Sequence, residues 1–398
     1  RIGMENYLLT EYGGNSTEYD IITSVLDQVG IIYQTTPEEE ETLIYEGDNL
    51  LLTYNQQGEN KFFISDVDGS NEVSISSSFN SNKPSITSDG YSIFYVNDGN
   101  LHSISLRNNT IYEYIVSDEG GWYSVSVSKD SSKIALTKFD EDNEIYVYDI
   151  INDNWSIFEI RLQTSQADIF EEPLYPDALE WDNKSETIIF DQYNQKVTDI
   201  DTLYYWDIAE MKVWNSSKNN FYEDPISYRL FNDLEDGVSV GYPSISRNNN
   251  KIVFDYVSSE NDYIILLDLE TFSYNSIINN RNWGVPNFST DDELIVYNSY
   301  DDDGSDKVVG IQVEGINIVS SEPQLLKSNS YWGLFFNQGV RDSDGDGVND
   351  NKDLCPNSNP DETVDQNGCS LSQRDSDGDG VNDHLDEFPF DDSEAYDN

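Results

Sequence analysis

The chain has 398 residues, with 77 Asp and Glu against 21 Lys and Arg, a formal net charge of −56. A field of that sign excludes nucleic acid as a partner, because phosphate recognition needs clustered Lys and Arg, and it works against anionic membrane surfaces. Aromatic residues make up 13% of the sequence and sit in short alternating runs, which excludes a disordered acidic polymer, and no apolar run of 18 residues is present to insert as a helix.

Three short apolar runs open the chain: Asn6–Thr10, Tyr19–Ser24 and Gly30–Tyr33. Each reads as a strand, since β-branched and aromatic residues alternate with polar ones between Asn, Asp and Gly turns. From there a phrase recurs: an apolar strand, a turn of Asp, Asn, Ser or Gly, and a second apolar strand. The clearest copy is Pro84-Ser-Ile86-Thr-Ser-Asp89-Gly90-Tyr-Ser-Ile93-Phe94-Tyr95, followed by Val125–Leu136, Pro243–Phe254 and Pro286–Tyr297. Weaker copies begin near Ile44 and Leu179. Anchors at 44, 86, 127, 179, 245 and 288 are spaced by 42, 41, 52, 66 and 43 residues, so the unit is about four strands long, with insertions expected at 161–177 and 215–241. Two further strands complete a unit, as in Tyr263–Asp268 and Phe272–Ile277. Four antiparallel strands repeated at this period predict the blades of an all-β propeller over residues 1–340. Tyr331–Phe336 reads as a first strand without followers, and the three opening runs read as followers without a first strand. Joined, they predict a seventh, composite blade that closes the ring and removes an exposed edge; the alternative is a six-bladed ring.

The phrase Pro-x-x-Ser-x-Asp-Gly-x-x-Ile-x-Phe resembles the TolB-like or WD-like propeller repeat of secreted and periplasmic proteins. Members of that group that act as pectate-type lyases use a histidine-rich metal site, which a chain with two histidines does not supply.

Residues 341–398 hold 18 acidic and 3 basic residues, which leaves −41 on the first 340. Within this tail one acidic sentence is written twice. It runs Asp342-Ser-Asp344-Gly-Asp346-Gly-Val348-Asn-Asp350-Asn-Lys-Asp353, then Asp375-Ser-Asp377-Gly-Asp379-Gly-Val381-Asn-Asp383-His-Leu-Asp386. Carboxylates at positions 1, 3, 5, 9 and 12, Gly at 6 and a backbone carbonyl at 7 supply the six or seven oxygen ligands that Ca²⁺ takes; Mg²⁺ wants fewer protein ligands in a rigid octahedron. The motif followed by Leu354-Cys355-Pro356, with a later Cys369, resembles thrombospondin type 3 repeats, in which Ca²⁺ replaces a hydrophobic core. That resemblance implies a Cys355–Cys369 disulfide, hence an oxidising compartment. The second copy continues into Glu387-Phe388-Pro389 without Cys-Pro, and so lacks the bridge. Tyr396-Asp397-Asn398 reads as the start of a further acidic loop.

Catalytic signals are sparse. His102 alternates with apolar residues in a strand and His384 stands at position 10 of the second loop; Gly-x-Ser-x-Gly, His-Glu-x-x-His and Gly-x-x-x-x-Gly-Lys-Ser/Thr are absent. The acidic turns Asp66-Val-Asp68-Gly69, Asp140-Glu-Asp142-Asn143 and Asp301-Asp-Asp303-Gly-Ser-Asp306 are either a cation-binding rim or ordinary hairpin chemistry, and turn chemistry explains them fully. Asn-x-Ser/Thr triplets stand at Asn15, Asn108, Asn154, Asn183, Asn215 and Asn287. A chain starting at Arg1 suits a mature form after signal-peptide removal, or a trimmed one. Salt or calcium outside the cell would screen so large a charge. The expectation is a secreted or cell-surface calcium-binding interaction scaffold, its propeller facing a protein or glycan. The alternatives are an extracellular carbohydrate-active enzyme, a hydrolase or lyase working in the axial cleft, and a structural subunit of an extracellular assembly.

Overall fold

The computed structural model describes residues 47–338 apart from 56–58, 78–80, 107–110, 118–119, 139–142, 162–169, 198–200, 232–233 and 321. Of the tail it describes residues 348, 354, 355, 358, 364, 365, 368–370, 372–374, 376, 382, 383 and 385. The opening runs Asn6–Thr10, Tyr19–Ser24 and Gly30–Tyr33 lie outside the described residues.

Antiparallel sheets form six blades. From the axis outward, blade I is Ser330–Gln338, Gly47–Asn55, Lys61–Ser65 and Val73–Ser74; blade II is Ser85–Ile86, Ser92–Asn97, Asn100–Ser105 and Tyr112–Ser117. Blade III is Trp122–Val127, Lys133–Lys138, Glu144–Asp149 and Asn154–Glu159; blade IV is Phe170–Trp181, Thr187–Val197, Thr202–Lys212 and Ser227–Arg229. Blade V is Ser239–Ile245, Lys251–Val257, Asp262–Asp268 and Tyr274–Asn279; blade VI is Asn287–Phe288, Leu294–Tyr300 and Asp306–Glu314, with Asn317–Ile318 and Gln324–Ser328 on its outer edge.

The seven-bladed expectation is therefore corrected to six. The C-terminal strand does close the ring, but on Gly47–Asn55: Leu50 pairs with Phe336, Leu51 with Phe335 and Leu52 with Leu334. That register puts Leu50, Leu52 and Phe336 into one buried cluster with Ile93 and Tyr95 of blade II, while Leu51 joins Val296 and Val308 of blade VI. The strand that follows the Ile44 anchor is thus a second strand, and Ser330–Gln338 takes the inner place. Spacing counts strands but does not choose the partner of an unpaired one. Of the expected insertion at 161–177, residues 170–177 lengthen the first strand of blade IV. The 215–241 insertion holds blade IV's outer strand, Ser227–Arg229, and the end of a small ribbon, Trp214–Asn215 with Asn220–Phe221. Trp214 of that ribbon covers the buried Lys133 ammonium at 4.5 Å.

Apolar clusters lie between blades, as period-2 strands with both faces packed require. Blades III and IV share Ala135, Val147, Trp181, Phe190 and Met211, all fully buried, and the Trp181 indole N–H donates to the Ser126 carbonyl across the junction at 3.1 Å.

The recurrent phrase has a structural purpose. In five blades the turn from first to second strand repeats one geometry: a fourth residue in the left-handed region donates its N–H to the carbonyl of the first. The pairs are Gly90 to Thr87, Ser131 to Ser128, Ser185 to Asp182, Asn249 to Ser246 and Asp292 to Ser289, at 2.8–3.1 Å. Each fourth residue then receives the preceding blade. Ser131 Oγ accepts the Ser88 N–H at 3.1 Å, Ser185 Oγ that of Asp130 at 2.9 Å, Asn249 Oδ1 that of Asn183 at 3.0 Å, and the Asp292 carboxylate that of Arg247 at 3.1 Å. Thr290 and Asn337 continue the chain of contacts to blade I, and Gly90 packs on the Asn337 carbonyl. This turn rim is a latch running around one mouth of the axial channel.

Candidate ligand site at the entry rim of the axial channel

The first strands of all six blades line an axial cavity of 230 Å³, with Lys83, Lys129, Glu180, Arg247 and Asp292 among its walls. Where these strands begin, at the rim opposite the latch, lies a second group of side chains: Tyr123, Ser124, Asp177, Asp191, Tyr242, Asp255 and Trp283.

Three of the junctions are built by a side chain of one second strand reaching into the next first strand. Asp191 accepts the Ala178 N–H of its own blade at 2.7 Å and the Tyr242 N–H of blade V at 2.8 Å. Asp255 accepts Gly284 and Val285, both at 2.8 Å. Asn298 does the same once, accepting Trp332 at 3.1 Å. Tyr242, Val285 and Trp332 are all left-handed, with φ of 51°, so their N–H groups leave the strand ladder and need these acceptors. The chain approaches so closely there that a Cβ on Gly284 would stand 2.7 Å from Ile264 Cδ1. Asp191 and Asp255 are 2% and 0% exposed. Burial pushes the Asp255 carboxyl up to about 8, opposed by its two backbone hydrogen bonds. Burial, then the nearby Asp177 charge, holds Asp191 well above the ordinary range.

Asp177 differs. Both of its partners are hydroxyls: Ser124 Oγ donates at 3.0 Å and Tyr242 Oη at 3.4 Å. It is only half-buried, and burial pushes it up to about 6. The Asp177 charge, with burial behind it, pushes the Tyr123 phenol up to about 12. The Lys83 ammonium opposes the rise at all three carboxyls, while its own burial lowers it.

Blade IV carries this rim outward. Its first three strands have 12, 11 and 11 residues where those of blade V have 7. Four extra residues extend the sheet by roughly 13 Å. On that extension Tyr175, Tyr193 and Trp206 stand in direct cross-strand register. Ring centroids are 5.4 Å apart for Tyr175 and Tyr193, and 5.1 Å for Tyr193 and Trp206. Tyr204 stacks on Tyr193 at 5.9 Å and is 54% exposed.

Of the expected metal-binding residues, Asp342, Asp344, Asp346, Asp350, Asp353, Asp375, Asp377, Asp379, Val381 and Asp386 lie outside the described residues. Val348 is buried, and the Asp383 carboxylate accepts the N–H and hydroxyl of Ser376, both at 2.7 Å. Cys355 and Cys369 form a disulfide. Beside it Ser358 donates to the Cys355 and Gly368 carbonyls, and Gln373 Nε2 donates to Cys355 at 3.2 Å. Among the described residues no group of three or more His, Cys, Asp or Glu is arranged to hold a metal ion.

The acidic turns are hairpin chemistry. Asp68 accepts both donors of Ser70, Asp66 accepts Asn71, and Asp303 accepts both donors of Ser305. They do not share one rim either, because Asp66–Gly69 joins third and fourth strands while Asp301–Asp306 joins second and third; Asp140 and Asp142 lie outside the described residues. His102 is half-buried and stacks on Tyr95 at 5.2 Å; His384 lies outside the described residues. Asn287 is 5% exposed, which removes it as a glycan acceptor, while Asn154 is exposed.

Sequence reasoning missed Lys83, Asp177, Asp191 and Asp255. The signal for two of them was present: Ile188-Ile-Phe-Asp191 and Ile252-Val-Phe-Asp255 place a charge at the same point after an apolar strand core. The triplets Gly241-Tyr-Pro and Gly284-Val-Pro mark the strand irregularities that those charges serve.

The sequence matches no protein-family model. It is 64% identical to an alpha-agarase of Alteromonas agarilytica over 33 residues, 8% of this chain and 2% of the enzyme's length. The fold is similar to TolB of Acinetobacter baumannii, with a TM-score of 0.50 and 17% identity over 72% of this chain and 66% of that one. A TolB-like structure from Agrobacterium tumefaciens gives 0.45 and 15% over 74% of this chain and 91% of its own. The likeness to TolB supports a β-propeller, and the ring has six blades. Among the described residues no helix is long and apolar enough to cross a membrane, and the disulfide points to an oxidising compartment.

Proposed function

We propose that this chain is a non-catalytic recognition module of an exported, extracellular or cell-surface protein, with residues 1–340 as the propeller head and 341–398 as a calcium-stabilised connector. One observation carries the recognition reading. The two most buried carboxylates near the channel have both oxygens turned onto backbone N–H groups, so among the described residues Asp177 has no second acid beside it that faces a ligand. Glycoside hydrolysis needs two such acids. What remains beside Asp177 is a set of hydroxyls and rings, suited to binding. A polysaccharide is the proposed partner, in keeping with the 33-residue match to an alpha-agarase.

In the connector, the twin loops would hold Ca²⁺ through Asp342, Asp344, Asp346, Val348, Asp350 and Asp353, and through Asp375, Asp377, Asp379, Val381, Asp383 and Asp386. The ion neutralises carboxylates that otherwise repel one another. The curl that brings Asp383 back onto Ser376 supports this reading. Limited proteolysis with and without chelator tests it: the tail becomes sensitive while the propeller resists. Equal sensitivity in both conditions contradicts it. For the head, incubation with agarose, xylan and polygalacturonate is expected to release no new ends, and measurable turnover would make the chain an enzyme.

A further inference from the structure

We propose that the radial aromatic row of blade IV, ending at Asp177, is a binding site for a neutral polysaccharide chain. The inference rests on the recognition reading above and names its ligand.

The row has direction. Tyr204 and Trp206 stand on the third strand, Tyr193 on the second and Tyr175 on the first, so it runs from the outer part of the blade toward the axis. Two residues beyond Tyr175 in the same strand, Asp177 meets the Tyr242 hydroxyl of the next blade. A row of rings leading to hydroxyls and a carboxylate matches the two chemistries of a sugar chain. The face of a pyranose that carries its C–H bonds is apolar and stacks on a ring, while its edge is a line of hydroxyls that need partners.

Burial within the blade does not explain the row. The interblade core has ended by this level, and on the opposite face of the same strands Gln192, Asn194 and Asp207 are buried in a polar network in which Gln192 donates to Asp207 at 2.9 Å. The rings on the row's own face stay half-exposed, and Tyr204 is 54% exposed. A propeller needs no 13 Å extension of one blade to close.

Charge selects the ligand. The chain carries −56, and exposed Glu172 and Asp201 flank the extended strands. A uronate or sulfated chain would be repelled from this rim, whereas a neutral chain would not.

The test is affinity electrophoresis of the whole calcium-loaded chain through gels containing agarose, xylan or mannan, with alginate and polygalacturonate as acidic counterparts. Retardation by at least one neutral polymer and by neither acidic one is expected. Trp206→Ala and Tyr193→Ala should each weaken that binding about tenfold, the effect of removing one well-placed ring, with the thermal midpoint monitored for each. Ser131→Ala, on the opposite rim, should leave binding unchanged. Should Trp206→Ala fold poorly, Trp206→Phe keeps the ring and should retain most of the affinity. Retardation by the acidic polymers, binding indifferent to both ring substitutions, or no binding to any neutral polymer overturns the saccharide site. Those results leave a recognition module for another ligand standing; turnover of the polymer would instead overturn the recognition reading.

Discussion

The two rims of the axial channel are made by the same first strands and differ in every other respect. At the turn rim five blades repeat one turn, each latched to the next, so its residues are explained by closing the ring. At the entry rim nothing repeats six times: one blade is longer than blade V beside it, three junctions use Asp, Asp and Asn, and Asp177 has no counterpart in blade V, where Gly241 occupies the strand irregularity before Tyr242. Repetition in this molecule marks what holds it together, and departure from repetition marks where a ligand fits.

The largest effect should come from removing a junction carboxylate. Asp255→Ala strands two buried N–H donors at about 1–3 kcal/mol each, and Asp191→Ala the same number. Urea unfolding should show a loss of about 2–6 kcal/mol for either. Asp177→Asn, whose partners are rotatable hydroxyls, should cost under about 1 kcal/mol. Equal losses for the three would erase the distinction between clamp and site. Next in size is Gly90→Ala. With φ at +70° and a Cβ that would meet the Asn337 carbonyl oxygen at 2.0 Å, it should destabilise by about 1–3 kcal/mol.

Acid dependence sharpens the same contrast. The folded-state value of Asp255 is raised to about 8, so the folded protein holds a proton that the unfolded chain gives up. The stability from this group is full below the ordinary Asp value and is lost as pH rises through about 8. Wild type should therefore lose stability relative to Asp255→Asn between pH 5 and 9. An unchanging difference would show that the two backbone hydrogen bonds outweigh burial. A small effect is also expected at the latch, where Ser131→Ala removes one partly exposed hydrogen-bond acceptor at about 0.5–1.5 kcal/mol.

The contrast also explains what could be read from the sequence. The turn rim was legible because Ser128-Lys-Asp130-Ser131 and Ser289-Thr-Asp291-Asp292 write the same local chemistry at a fixed period, and local chemistry survives in a linear text. The blade number was not, because the strand Ser330–Gln338 is about 280 residues from the strand it joins and nothing in its own residues names that partner. The entry rim was hidden for a related reason. Asp177 and Tyr242 come from different blades, and a bulge between Pro176 and Leu179 shifts the alternation that would have told which face Asp177 occupies. The disulfide was readable because Cys355 and Cys369 are the only two cysteines, joined in the fold as the repeat resemblance implied.

The most direct test of the division between rims is amide hydrogen exchange on the calcium-loaded chain, with and without soluble agarose or xylan oligosaccharides. Ligand should slow exchange along Phe170–Trp181, Thr187–Val197 and Thr202–Lys212, and leave the turns at Ser88, Ser131, Ser185, Asn249 and Asp292 unchanged. Protection centred on those turns, or none in blade IV with either oligosaccharide, would contradict the account.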